Sequence, residues 1–218
     1  MNRNIHISQI SKGMFDAAFH IADDAGMMIG KGLFKGSLGS REGDWNISIG
    51  KDLYTLQTIR HAEGKELSEG TSRSQVFRPY KIEKDGDPSP AGVIYMDEIK
   101  TGFLTSIGIK TMRWNGQTYT GYNVGLGKKG MVYPIFLGDD LQIAEARRPY
   151  KIENMLYKYD LYCPEERYMI PAILYILYQY TTADYTAGKI VSDYSETKIV
   201  ITKDKTALSK YDPKFWMQ

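Results

Sequence analysis

The segment Tyr168–Tyr180, Y-M-I-P-A-I-L-Y-I-L-Y-Q-Y, constrains this chain more than any other. It reads as a helix that is apolar on every side, and it carries no charge over 13 residues. A helix at a protein surface keeps a polar face, so a helix without one has to be surrounded. Crossing a bilayer takes roughly 20 apolar residues. This run is too short for that, and the rest of the chain has to enclose it. That rest reads as short strands and turns. A β-rich chain enclosing one apolar helix points to a barrel with the helix at its centre.

The turns are explicit. Phe19–Ala22, Asp23-Asp24-Ala25-Gly26 and Met27–Phe34 read as strand, tight turn, strand. Trp45–Ile49 and Leu53–Ile59 flank a break at Gly50-Lys51-Asp52. His61–Arg73 is polar and reads as a disordered or exposed loop, with a short helix as the alternative. Val76–Glu83 is a strand followed by K-D-G-D-P-S-P at Lys84–Pro90, which cannot be a central strand. Ala91–Ile99 and Gly102–Trp114 come next. Asn115-Gly116 tolerates the positive φ of a two-residue hairpin turn and joins Trp114 to a strand at Gln117–Tyr122. Met131–Leu137 and Leu141–Arg147 flank Gly138-Asp139-Asp140 as a second hairpin. Lys151–Tyr162 adds one or two strands and Thr197–Thr202 one more.

Pro164 suits the first helical position, and Glu165 and Glu166 suit the positive end of the helix dipole. The helix is therefore expected from Pro164 to about Asp184, with Pro171 kinking it or freeing a carbonyl near Arg167. Phe215-Trp216-Met217 is apolar enough to dock onto the body. The hexapeptide Arg78-Pro79-Tyr80-Lys81-Ile82-Glu83 recurs as Arg148-Pro149-Tyr150-Lys151-Ile152-Glu153. The repeat marks corresponding strands of a pseudo-symmetric sheet, or it is coincidence.

With 218 residues the chain can build a sizeable core, and residues 1–218 are read as a single barrel domain. The 28 Lys+Arg and 26 Asp+Glu leave a net charge of +2, which argues against nucleic acid as a partner. Cys163 is the only cysteine, so no intrachain disulfide is possible. The opening M-N-R-N-I-H-I-S-Q-I lacks the long apolar core of a secretory signal. A cytoplasmic location follows as the expectation. His6, His20 and His61 have no ligand spacing, so no metal is expected. Gly125-Leu126-Gly127-Lys128-Lys129-Gly130 matches G-x-G-x-x-G. It precedes a strand-like run, whereas a dinucleotide site needs a helix there. No cofactor is expected.

The order of strand pairs, the D-D-A-G, N-G and G-D-D turns, and the single late apolar helix resemble the tubby C-terminal-like superfamily. That group includes tubby, the plant LURP-one-related proteins and the phospholipid scramblases. Met131–Glu145 is similar to the family's late hairpin, and Phe19–Lys31 resembles the same motif early in the chain. The resemblance covers Phe15–Tyr185. It implies a mainly β fold, a closed antiparallel barrel of about twelve strands around a central hydrophobic helix at about 164–184. Residues 189–218 are then a C-terminal extension.

Tubby binds phosphoinositide head groups through basic residues on its barrel surface. Arg147, Arg148 and Lys151 cluster beside the second hexapeptide, and Arg78 and Lys81 occupy the equivalent places in the first. These five are the candidate residues for an anionic head group. The expectation is a non-enzymatic barrel, peripheral at a membrane, whose partner is an anionic lipid or a protein. Two rivals stand beside it. One is a carrier of an apolar small molecule in the lumen. The other is an enzyme with a site at Cys163 or at the Asp139-Asp140 turn.

Overall fold

The computed structural model describes residues 3–36, 43–59, 75–87, 92–100, 106–126, 129–182, 188–192, 195–199 and 211–217. The early strands are β1 (Arg3–Lys12), β2 (Asp16–Asp23), β3 (Met28–Gly36), β4 (Gly43–Ile49), β5 (Asp52–Thr58) and β6 (Gln75–Lys84). The middle ones are β7 (Gly92–Lys100), β8 (Ser106–Trp114), β9 (Gln117–Gly121), β10 (Val124–Gly125), β11 (Met131–Leu137) and β12 (Leu141–Arg148). Then come β13 (Lys151–Glu153), β14 (Lys158–Cys163), the helix α1 (Met169–Thr181), β15 (Gly188–Ser192) and β16 (Ser195–Ile199).

Two-residue alternation sets which face of each strand turns inward. In β1, Ile5 and Ile7 are buried while His6 is exposed; in β4, Trp45, Ile47 and Ile49 are buried and Asn46 is exposed. Each strand pairs antiparallel with its neighbour in the order β11-β12-β14-β1-β2-β3-β4-β5-β6-β7-β8-β9. The ring closes where β9 returns to β11, through Ile135↔Gly121, Phe136↔Thr120 and Leu137↔Tyr119. Among the described residues this is a closed antiparallel barrel of twelve strands. Closure removes the unpaired edges that an open sheet would expose.

β10 adds a short pairing to β11, and β13, β15 and β16 form a separate three-stranded sheet. Two prolines sit where the ladder tolerates them. Pro134 falls between the stretches of β11 paired to β10 and to β9, so no donor is missed there. Pro79 lies in the irregularity between Phe77 and Tyr80 of β6, beside Arg78 at φ 47.

The two clearest hairpins form as the sequence reads. Asn115 and Gly116 take φ of 46 and 75 between β8 and β9, and Gly138 takes φ 63 between β11 and β12. The structure departs from the expected elements at several points. A strand not among those expected, β1, lies between β14 and β2 and completes the ring. The helix begins at Met169 after a 3-10 turn at Glu166–Tyr168, not at Pro164. Pro171 is thus in the first helical turn, where its missing N–H is not needed, and it starts the helix instead of kinking it. The two hexapeptides are not equivalent: 78–83 lie in barrel strand β6, while 148–153 leave β12 and enter β13 of the small sheet. The expected strand at Thr197–Thr202 begins earlier, as β16, and β15 precedes it. His61–Arg73 lies outside the described residues.

Every residue of α1 from Pro171 to Gln179 is buried. Tyr180 packs edge-on against Phe19 of β2, Phe34 of β3 and Trp45 of β4. Tyr178 meets Tyr80 of β6, and its hydroxyl donates to the Arg78 carbonyl at 3.0 Å. A Cβ at Gly32 of β3 would lie 3.3 Å from Leu177 Cδ1, and one at Gly121 of β9 would lie 2.8 Å from Tyr175 Cζ. The hydroxyls of Thr181 and Thr182 donate to the Tyr178 and Gln179 carbonyls, at 2.7 and 3.0 Å. They satisfy acceptors that a buried helix end would otherwise leave bare.

Candidate anion-binding site

The candidate cations separate into three places. In β12 the register shifts opposite Ile135/Phe136. Beyond the shift, Ala144 and Ala146 join the core and Arg148 follows on the same face, only 2 % exposed. Its guanidinium lies 5.7 Å from the Tyr157 ring centroid. Arg147 turns to the other face. Its Nε donates to Glu145 Oε1 at 2.8 Å and its guanidinium stacks 4.3 Å from the Trp216 ring. Lys151 begins β13, with Nζ donating to Glu153 Oε1 at 2.8 Å.

Arg148 and Lys151 meet in a pocket of about 260 Å³, together with Lys158, Glu153, Ile152 and Leu156. Three cations face one carboxylate there. The Lys151 hydrogen bond holds the Glu153 carboxyl below its ordinary range, with the Lys151 charge and then Lys158 adding to the effect. The chain geometry explains the gathering: Lys158 starts β14 directly after the turn that ends β13, so it returns beside Lys151. Sequence reasoning missed Lys158. Its signal was a lysine just across the turn from Lys151, readable only once β13 and β14 are known to be adjacent.

Arg78 and Lys81 do not join this pocket. They belong to β6, well round the ring from β12. Lys81 pairs with Glu83 at 2.5 Å. Lys129 is exposed before β11, while Gly127 and Lys128 lie outside the described residues. A strand does follow the glycines, as expected.

A recess of about 520 Å³ lies on the outer wall between β3 and β6. Its lining mixes Lys31 and Lys84 with Glu83, Asp85 and Asp87. Two lysines thus stand against three carboxylates there, whereas in the smaller pocket three cations stand against one carboxylate.

The other candidate chemistry is dispersed. Cys163 is buried, and its thiol donates to the Glu165 carbonyl at 3.2 Å. Asp139 and Asp140 sit exposed on a hairpin turn. His6 Nδ1 meets Asp160 Oδ1 at 2.7 Å on the surface. Among the described residues no group of three His, Cys, Asp or Glu side chains is placed to hold a metal, and no helix is long and apolar enough to cross a membrane.

The C-terminal segment covers the outer side of β12 and β14. Phe215 and Trp216 pack on Tyr162 with centroids 5.7 and 5.5 Å apart, and the Asp212 N–H donates to Gln142 Oε1 at 3.3 Å. Glu145 is fully buried on this face, accepting from Arg147 and from Gln142 Nε2. Burial pushes its carboxyl above the ordinary value, against the lowering effect of Arg147.

No protein-family profile, curated protein or solved structure matches the chain.

Proposed function

We propose that this chain is a non-enzymatic binding barrel, filled by its own helix, that takes an anionic group in the pocket of Arg148, Lys151 and Lys158. The observation that carries the proposal is the pocket itself. A buried arginine stands on its wall, and three cations oppose one carboxylate. A phosphate-bearing head group suits such a site, because guanidinium and ammonium groups are the usual partners of phosphate.

The filled lumen also supports this reading. β3 and β9 stand six places apart in a ring of twelve, on opposite walls. α1 approaches both, at Gly32 and at Gly121. A helix buried along its length and close to opposite walls lies between them. That leaves no room for an apolar cargo in the lumen and directs binding to the barrel's end. The tubby-like resemblance implies the same architecture and the same ligand class, with the protein in the cytoplasm and peripheral to a membrane.

Titration with inorganic phosphate, followed by backbone amide NMR, tests the site. Shifts concentrated at residues 148–158, and abolished by Lys151→Glu with Lys158→Glu, are expected. Shifts elsewhere, or none, would refute it.

A further inference from the structure

The segment 211–217 holds its turn with its own atoms. The Lys214 N–H donates to Asp212 Oδ1 at 2.9 Å, the Phe215 N–H to the Asp212 carbonyl at 3.2 Å and the Met217 N–H to the Lys214 carbonyl at 2.8 Å. An aspartate that bonds the backbone two residues on, with a proline between, sets such a shape locally. The turn presents Phe215 and Trp216 to the barrel and leaves Met217 83 % exposed. Among the described residues no strand ladder joins the segment to the barrel.

The wall that receives it is held from beneath. Glu145 is fully buried, and its two oxygens accept from Arg147 Nε and Gln142 Nε2, at 2.8 and 3.2 Å. With its amide nitrogen committed, Gln142 turns Oε1 to the segment, where the Asp212 N–H reaches it at 3.3 Å. With its Nε committed, Arg147 lays its guanidinium 4.3 Å from the Trp216 ring, an attractive arrangement of cation and π face. Tyr162 is the aromatic floor for Phe215 and Trp216.

Strands β12 and β14 thus fix the groups of the wall, and the segment's own turn fixes the groups that meet them. Recognition of this kind needs only a short linear segment. No contact in it depends on both sides belonging to one chain. Residues 200–210 tether the segment to β16; fully extended, a tether of that length spans roughly 35 Å, enough to reach a neighbouring copy.

We propose that the outer wall of β12 and β14 is a docking site for the segment 211–217 of a second copy of this chain. The chain's own segment is the sequence that the wall is seen to fit. Each copy carries one wall and one segment, so reciprocal exchange closes a two-fold dimer without any new surface. Arg147 faces away from the anion pocket, so docking here is independent of what that pocket takes. Within one chain the segment competes at an effective concentration on the order of millimolar. The intact chain is therefore a monomer at micromolar concentration, and exchange shows once the internal contact is weakened.

Two full-length variants test it. Phe215→Ala with Trp216→Ala keeps the wall and removes the anchors. Glu145→Gln with Arg147→Ala keeps the segment and removes the shelf under Trp216. Each alone is expected to be a monomer by light scattering, and an equimolar mixture is expected to give a species of twice the mass as concentration rises. Gln142→Ala replaces the second variant should that one fail to fold. A synthetic peptide of residues 210–218, titrated into the first variant, is expected to shift amides at 142–147 and 159–163; the peptide with both aromatic residues changed to alanine is expected to shift none. A mixture that stays monomeric, even where the peptide binds, overturns the second copy as occupant. Dimers formed by the first variant alone place the interface elsewhere and overturn it as well.

Discussion

Gly121→Ala probes a close approach between helix and wall. A Cβ at this position of β9 would lie 2.7 Å from the Pro134 carbonyl oxygen and 2.8 Å from Tyr175 Cζ, with the Tyr175 hydroxyl nearer still. Neither neighbour can give way easily. Pro134 O belongs to the backbone of β11, and Tyr175 is 1 % exposed, with no open space for its ring. Overpacking of this kind costs about 1–3 kcal/mol. For a chain of this size each kcal/mol lowers Tm by about 2–4 °C, so a fall of several degrees is expected in thermal unfolding.

Tyr175→Phe supplies the control. The Tyr175 hydroxyl is buried without a hydrogen-bond partner, so its removal is expected to cost little or to stabilise. In the double variant the clash with Pro134 O remains while that with the hydroxyl goes. Part of the loss is then recovered, with a coupling of about 0.5–3 kcal/mol expected for groups in contact. A Gly121→Ala protein that melts like wild type would refute the reasoning, as would strict additivity of the two changes.

Leu174 is fully buried within α1, and Leu174→Asp places a charge there without a partner; the variant is expected to fail to fold, and a soluble variant with wild-type melting would contradict an enclosed helix. Glu145 has its carboxyl raised above the ordinary 4.5 by burial. A raised folded-state value means that its contribution is fully present below about 4.5 and is lost as pH rises through the folded value. Glu145→Gln is therefore expected to flatten the fall in stability across the acid-to-neutral range, and an unchanged profile of unfolding free energy against pH would count against it. Met155 takes φ 58, and Met155→Gly removes a left-handed strain of about 1 kcal/mol or more, which offsets the lost partial burial; Tm near wild type is expected, and a fall of many degrees would mean that the methionine is structural.

The barrel was legible because its signals are local. Alternation in Trp45–Ile49, the Asn115-Gly116 turn and the uncharged run ending at Tyr180 each fix a face, a reversal or an enclosure without knowledge of distant partners. β1 carries the same signal in Ile5 and Ile7. It was passed over because the strand pairs were read from Phe19 onward. The helix start was misplaced because Pro164 and Pro171 both suit a first turn, and only packing chooses between them.

The site was half legible. Arg148 and Lys151 are neighbours in sequence and meet in the pocket, but Lys158 reaches them only through the β13–β14 turn. Arg147 looked equivalent to Arg148. The strand period puts it on the opposite face, where Glu145 and Trp216 engage it. The identical hexapeptides misled for a related reason. Register and pairing partners, which identity over six residues does not encode, decide what Arg78 and Lys81 face.

The account turns on where the helix lies, because a filled lumen leaves the barrel's end as the place for a ligand. The most direct test is a set of NMR proton–proton contacts from α1 to glycines on the two opposite walls. The account predicts contacts from the Leu177 methyls to Gly32 of β3 and, in the same molecule, from the Tyr175 ring to Gly121 of β9. Contacts to one wall alone would place the helix outside the ring and contradict it.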